Sequence, residues 1–164
     1  MATNAEPSSV KVQNSFRQLA AAAANLNTVS DDLGKPIAEL EAALKKLNLG
    51  VVVWTRMEGG NHEYAEAWWS RDIGYAKIGG KWGIALRICS GDFQNPDDDS
   101  EEAWQFNEAP RWMRVLGVEH IPTLIEKMVA ETNETANKIK AKTAEAKELA
   151  DAVRRELTPA PKQK

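Results

Sequence analysis

The sequence predicts an α+β protein in which long N-terminal and C-terminal helices flank a three- or four-stranded antiparallel β-meander. Three observations predict it. Leu19, Leu26, Leu33, Leu40 and Leu47 recur seven residues apart. Gly79-Gly80 joins two segments of strand-like alternation. A second long stretch with helical periodicity follows Pro122. On this reading residues 9–157 form one domain. It divides into a helix over 9–48, the meander over 50–107 and helices over 110–157. Residues 1–8 and 158–164, rich in Pro, Ser and polar side chains, read as tails.

The first helix is set by its apolar seam. With Phe16 at heptad position a, Ala23, Ser30, Ile37 and Leu44 share that position and the five leucines occupy d, so Ser30 is the one polar residue in the seam. The flanking positions hold small, uncharged residues such as Ala20, Ala22 and Asn27, where a two-stranded zipper normally carries Glu and Lys. That favours a bundle face. Gly34 and Pro36 oppose helix locally, but the register runs through them, which predicts a kinked continuous helix ending at Asn48-Leu49-Gly50.

In the middle, Gly50–Arg56 reads as a strand and Met57–His62 as a loop. Glu66–Ile78 and Lys81–Ser90 read as a hairpin, because Gly79-Gly80 supplies positive φ at both centres of a two-residue turn. The turn fixes Tyr75 opposite Ile84, Ile73 opposite Leu86, and Asp72 opposite Arg87 as an ion pair. One face then carries Ile73, Tyr75, Trp82, Ile84 and Leu86. The other carries Gly74, Ala76, Gly83 and Ala85, a smooth patch that a helix could cover. Ala103–Phe106 supplies a possible fourth strand. Pro110–Leu116 reads as a short helix stopped by Gly117, and Pro122 opens a long one to Leu157. With both long helices meeting the sheet at their inner ends, the expected picture is an antiparallel helical stalk below a β head.

Composition narrows function by exclusion. The 164 residues are 43% hydrophobic and 27% charged, with net charge −3, which argues against a strongly basic nucleic-acid protein. One cysteine and two histidines leave no disulfide framework and no Cys/His zinc site. His62-Glu63-Tyr64-Ala65-Glu66 lacks the second histidine of the zinc-protease helix. Asp97–Glu102 fails the EF-hand template, which needs glycine where Glu102 stands, and reads as a solvated loop. Cys89 reads as packed and inert, and His120 as local capping. Arg111 and Arg114 form a small positive patch, expected to pair with the acidic loop upstream. No catalytic set can be assembled, and no metal or cofactor is expected. The N-terminus has neither a basic n-region nor an apolar h-region, and no run is long enough to span a membrane, so the expected compartment is the cytoplasm.

Six tryptophans carry the open question. Adjacent Trp68 and Trp69 must point to opposite faces of a strand. Trp54, Trp68, Trp69, Arg71, Arg87 and Trp112 are the candidate partner-binding residues, because Trp and Arg concentrate at interface hot spots. Leu19, Leu26, Leu33, Leu40 and Leu47 are the candidate self-association residues, since one alanine-rich partner helix would undercover them. The expected function is non-enzymatic: a homo-oligomeric assembly or adaptor protein presenting a Trp-rich head to a protein partner. The alternative is a single-stranded nucleic-acid binder stacking bases on the sheet aromatics. Residues 51–107 oppose it, with ten acidic and five basic side chains.

Overall fold

A computed structural model describes residues 8–61 and 67–157. Its elements are α1 (Ser8–Leu47), β1 (Val53–Asn61), β2 (Ala67–Ile78), β3 (Lys81–Asp92), β4 (Ser100–Gln105) and α2 (Arg111–Leu157), with short 3-10 turns on either side of β4. The strands form one antiparallel sheet in the order β1-β2-β3-β4. The chain is therefore α+β with a meander between two helices.

The two-glycine turn sets the sheet. Gly79 and Gly80 both have positive φ, 57° and 82°, which glycine adopts without a Cβ penalty. The register follows as expected: Ile78 faces Lys81, Tyr75 faces Ile84, Ile73 faces Leu86 and Asp72 faces Arg87. This sends Ile73, Tyr75, Ile84 and Leu86 to the face the helices cover, where each is buried with Val53, Phe106, Met113 and Leu124. β1 runs past its expected end through a bulge at Met57, and β4 starts earlier than expected, at Ser100. The His62–Glu66 segment lies outside the described residues, as do the tails before Ser8 and after Leu157.

Both helices are longer than local propensity suggests. α1 is continuous through Pro36, and α2 is continuous through Gly117 and Pro122. Packing overrides the breakers. Ser30 and Ile37 are buried on either side of Pro36, and Gly117 and Leu124 on either side of Pro122. Gly117 does not stop a helix. It lets α2 approach the sheet, since a Cβ there would stand 3.0 Å from Leu86 Cδ2 and 3.2 Å from Phe106 Cε2. α1 ends as the sequence suggests, with Asn48 and Gly50 at positive φ and Lys45 and Lys46 in the last turn.

The expected antiparallel stalk is replaced by a different arrangement. Arg111 donates to Asn27, Arg114 donates to Ser30, and Leu44 and Leu47 share a groove with Ile125, Met128 and Val129. Contacts thus advance along both helices together, so α1 and α2 cross the sheet in parallel, each packing mainly on strands. The cause is the connection. The meander leaves the sheet at the end where α2 must restart alongside the middle of α1. The free halves therefore project from opposite ends: residues 8–29 of α1 and 136–157 of α2 are exposed throughout. The two helices span about 60 and 70 Å at 1.5 Å per residue.

Each helix also satisfies one backbone group left open by the sheet. Glu41 Oε1 accepts the Ile84 N–H at 3.1 Å, beyond the point where β4 has ended. Lys127 Nζ donates to the Trp54 carbonyl at 2.6 Å, on the open side of β1. Burial raises the Glu41 carboxyl above its ordinary 4.5, with Lys45 and the Ile84 N–H pulling the other way. The folded chain therefore holds this proton to higher pH than the unfolded chain, and the group's contribution falls as pH rises through the window just above 4.5. Glu41→Gln keeps an oxygen for Ile84 and removes the titration. Urea midpoints across that window should show the wild type losing stability relative to the variant as pH rises, with no further divergence above it.

Candidate functional site

The small-residue face of the sheet is covered mainly by side chains of the sheet itself, with Glu41 of α1 reaching it at Gly83. The Trp54 indole lies across Gly74, where a Cβ would collide with its ring and with the Val53 carbonyl. The Gln105 side chain crosses Gly83 and donates to the Ile78 and Lys81 carbonyls at 3.1 and 2.9 Å, tying β4 to the hairpin turn. Ala76 and Ala85 are buried beside them. Glycine and alanine stand there because these long side chains lie flat on the backbone.

A charge network occupies the same face. Asp72, 4% exposed, accepts from Arg87 at 3.0 Å and lies 3.7 Å from the Arg56 guanidinium, and the Ser70 hydroxyl completes its shell at 3.3 Å. Arg87 also pairs with Glu101 at 3.1 Å, and its guanidinium carbon sits 4.1 Å from the centre of the Trp54 ring. The cross-strand pair read from the register is thus the centre of a wider cluster. Cys89 is buried beside it, its sulfur 3.8 Å from a Glu101 oxygen. Burial raises the thiol pKa; Arg87 opposes the rise, and Glu101 and Asp72 add to it. A thiol held protonated is a poor nucleophile, in keeping with a packed role.

The other aromatic cluster lies on the helix side, at the far end of β2. Arg71 stacks between two indoles, 4.9 Å from the Trp69 ring centre and 4.5 Å from that of Trp112, and pairs with Glu58 at 2.6 Å. Trp112, at the start of α2, is about half exposed. Trp68 goes to the opposite face, beside Gly91 and Asp99. Together with Arg56, Trp69 and Phe93 it lines an open cavity of about 380 Å³. The six partner-binding candidates therefore divide. Trp69, Arg71 and Trp112 come together, Trp54 and Arg87 come together on the reverse face, and Trp68, on that reverse face too, meets Trp69 at the wall of the cavity. Trp82 stacks on Tyr75 with ring centres 5.5 Å apart, and Trp104 packs on the core.

The leucine seam divides as well. Leu33 and Leu40 are partly buried within the chain, whereas Leu19, Leu26 and Leu47 are exposed. Phe16 and Val12, in the same seam, are exposed too. Ser30, its polar member, is buried against Arg114. Arg111 and Arg114 thus bind α1, not the acidic loop, because the parallel crossing brings α1 alongside the first turn of α2. The acidic loop satisfies itself: Asn95 donates to Asp98, and the Gln94 N–H to Asp92. His120 lies inside α2, away from any helix start. Sequence reasoning missed Glu41, Gln105 and Lys127, whose roles depend on where a strand ends and a helix crosses. Their polarity within amphipathic stretches was the only signal.

Among the described residues no three His, Cys, Asp or Glu side chains cluster as a metal site would need, and no helix is long and apolar enough to cross a membrane. No protein-family model matches the chain, and no curated protein or solved structure matches it at a significant level.

Asp72 is the element of this surface most sensitive to substitution. Asp72→Ala leaves Arg87 half-buried with Glu101 alone, and should cost about 3 kcal/mol, the low end for breaking a buried pair. Urea denaturation would register the loss as a lower midpoint at unchanged slope.

Proposed function

We propose that this is a non-enzymatic assembly or adaptor protein that self-associates through the free half of α1 and presents its Trp-rich sheet end to a protein partner. The observation that carries the reading is the contrast between the two free helix halves. Residues 134–157 of α2 carry eleven charged side chains, several of them in pairs along the helix such as Glu134–Lys138, Lys142–Glu145 and Asp151–Arg154. Its exposed apolar residues, Ile139, Leu149, Val153 and Leu157, stand among these charges. Residues 8–29 of α1 carry two, Lys11 and Arg17, and leave Val12, Phe16, Leu19 and Leu26 exposed in one seam. An apolar stripe of that length calls for a covering surface.

A second copy supplies one of matching chemistry. The seam is free as far as Asn27, where Arg111 docks. Two such segments laid antiparallel, with the two-fold axis between Arg17 and Gln18, set Phe16 against Leu19 and Val12 against Ala23. Small neighbours at Ala20 to Ala24 permit close approach. On this reading Leu19 and Leu26 are interface residues, while Leu33 and Leu40 hold the helix to its own sheet. The Trp69–Arg71–Trp112 stack is then the surface offered to a protein partner, since it combines exposed Trp with a preorganised Arg.

Light scattering on a size-exclusion column tests the assembly. The expected result is a dimer for the wild type. Leu19→Glu with Leu26→Glu should yield a folded monomer, or raise Kd at least tenfold, equivalent to about 1.4 kcal/mol. A wild-type monomer at high concentration overturns the reading. The cavity beside Trp68, with Phe93 and Arg56 at its wall, favours a second reading, a single-stranded nucleic-acid binder. It requires tryptophan fluorescence to be quenched by an oligonucleotide, with the effect weakening steeply as salt rises. No quenching at low salt removes it.

A further inference from the structure

We propose that the cavity between the middle of α1 and the start of α2 is an oxyanion-binding site centred on Arg114. Arg114 is 8% exposed, yet no carboxylate lies within ion-pair distance of it among the described residues. Its Nη2 donates to the Ser30 hydroxyl, and its Nη1 reaches the Ser30 carbonyl at 3.5 Å. Its Nε has no hydrogen-bond partner. A buried guanidinium with neutral partners and an orphan N–H is expensive, because burial removes water from a charge without supplying a counter-charge. An anion in the adjoining cavity would supply the missing counter-charge.

The surroundings provide room for one. The side chain lines a cavity of about 330 Å³, together with Ser30, Asp31, Gly34, Lys35 and Asn107. Arg114 belongs to the first turn of α2, so the positive end of that helix's dipole adds to the field. Lys35 contributes an ammonium, shared with Asp32 at 2.7 Å, and Asn107 an amide that donates to the Gly34 carbonyl at 3.3 Å. A Cβ at Gly34 would stand 2.9 Å from the Asn107 oxygen, so glycine keeps that wall open. The carboxylate of Asp31 is the one opposing charge in the wall. The ligand class that suits a guanidinium without a counter-charge is a carboxylate or a phosphate group. The site shares no residue with the proposed interface seam or the Trp-rich end, and stands independently of both.

The Arg114 Nε–H gives its own signal in a nitrogen–proton correlation spectrum, which makes the site directly readable. Titrating the full chain with inorganic phosphate, and separately with acetate, against chloride at matched ionic strength should shift that signal saturably with at least one of the two. The better ligand then says whether the site prefers phosphate or carboxylate. Asp31→Asn, an exposed substitution that leaves the fold alone, should tighten binding severalfold. Arg114→Met should abolish the shifts of backbone amides lining the cavity. An Arg114 signal that neither anion moves overturns the proposal. So do amide shifts that persist in Arg114→Met, or binding that Asp31→Asn weakens, since the last would make Asp31 part of the ligand's own shell.

Discussion

The register imposed by Gly79-Gly80 is the constraint on which the rest of the molecule depends. Two residues at positive φ leave a single low-energy way for β2 and β3 to pair, and side chains alternate with a period of two. Ile73, Tyr75, Trp82, Ile84 and Leu86 therefore fall on one face, and Gly74, Ala76, Gly83 and Ala85 on the other. A slip of one position would put Ile73 and Leu86 in water and bring Asp72 and Arg87 into the core. Because the register holds, the apolar face demands helices and the smooth face demands only flat-lying side chains. The positions of Trp54, Gln105 and Arg87 follow from that division.

The helices answer the apolar face in parallel, and this decides where unsatisfied chemistry collects. A parallel crossing leaves one helix half projecting at each end, with the middle of α1 beside the start of α2. There the only polar residue of the leucine seam, Ser30, meets an arginine that the core has taken in. At the outer end of α1 the seam continues exposed, with nothing among the described residues to cover it. The proposed association and the proposed anion site thus fall on two stretches of one helix.

Local chemistry was well legible in the sequence. The turn doublet, the pairing of Asp72 with Arg87, the opposite directions of Trp68 and Trp69 and the packed state of Cys89 all follow from alternation along one hairpin. The α+β class and the two long helices follow from periodicity. What was not legible required knowing how elements cross. Gly117 and Pro122 look like breaks because propensity is local, whereas buried residues on both sides hold the helix together; at Pro36 the unbroken register already carries the helix through. The parallel crossing depends on where the meander exits the sheet. Arg114 and Ser30 lie 84 positions apart, and no spacing rule joins them. The tryptophans looked like one set because they cluster in sequence, but the sheet distributes them over two faces.

The edge bonds from Glu41 and Lys127 have a consequence for how the chain reaches its native state. A hairpin with a strong turn forms early, since its contacts are local. Until both helices dock, Ile84 and Trp54 present unpaired backbone groups along open strands, the template through which separate chains join into aggregates. The two charged side chains that complete the fold therefore also end the period in which the nascent sheet is sticky. Slow docking, more than slow strand pairing, would govern the yield of soluble protein.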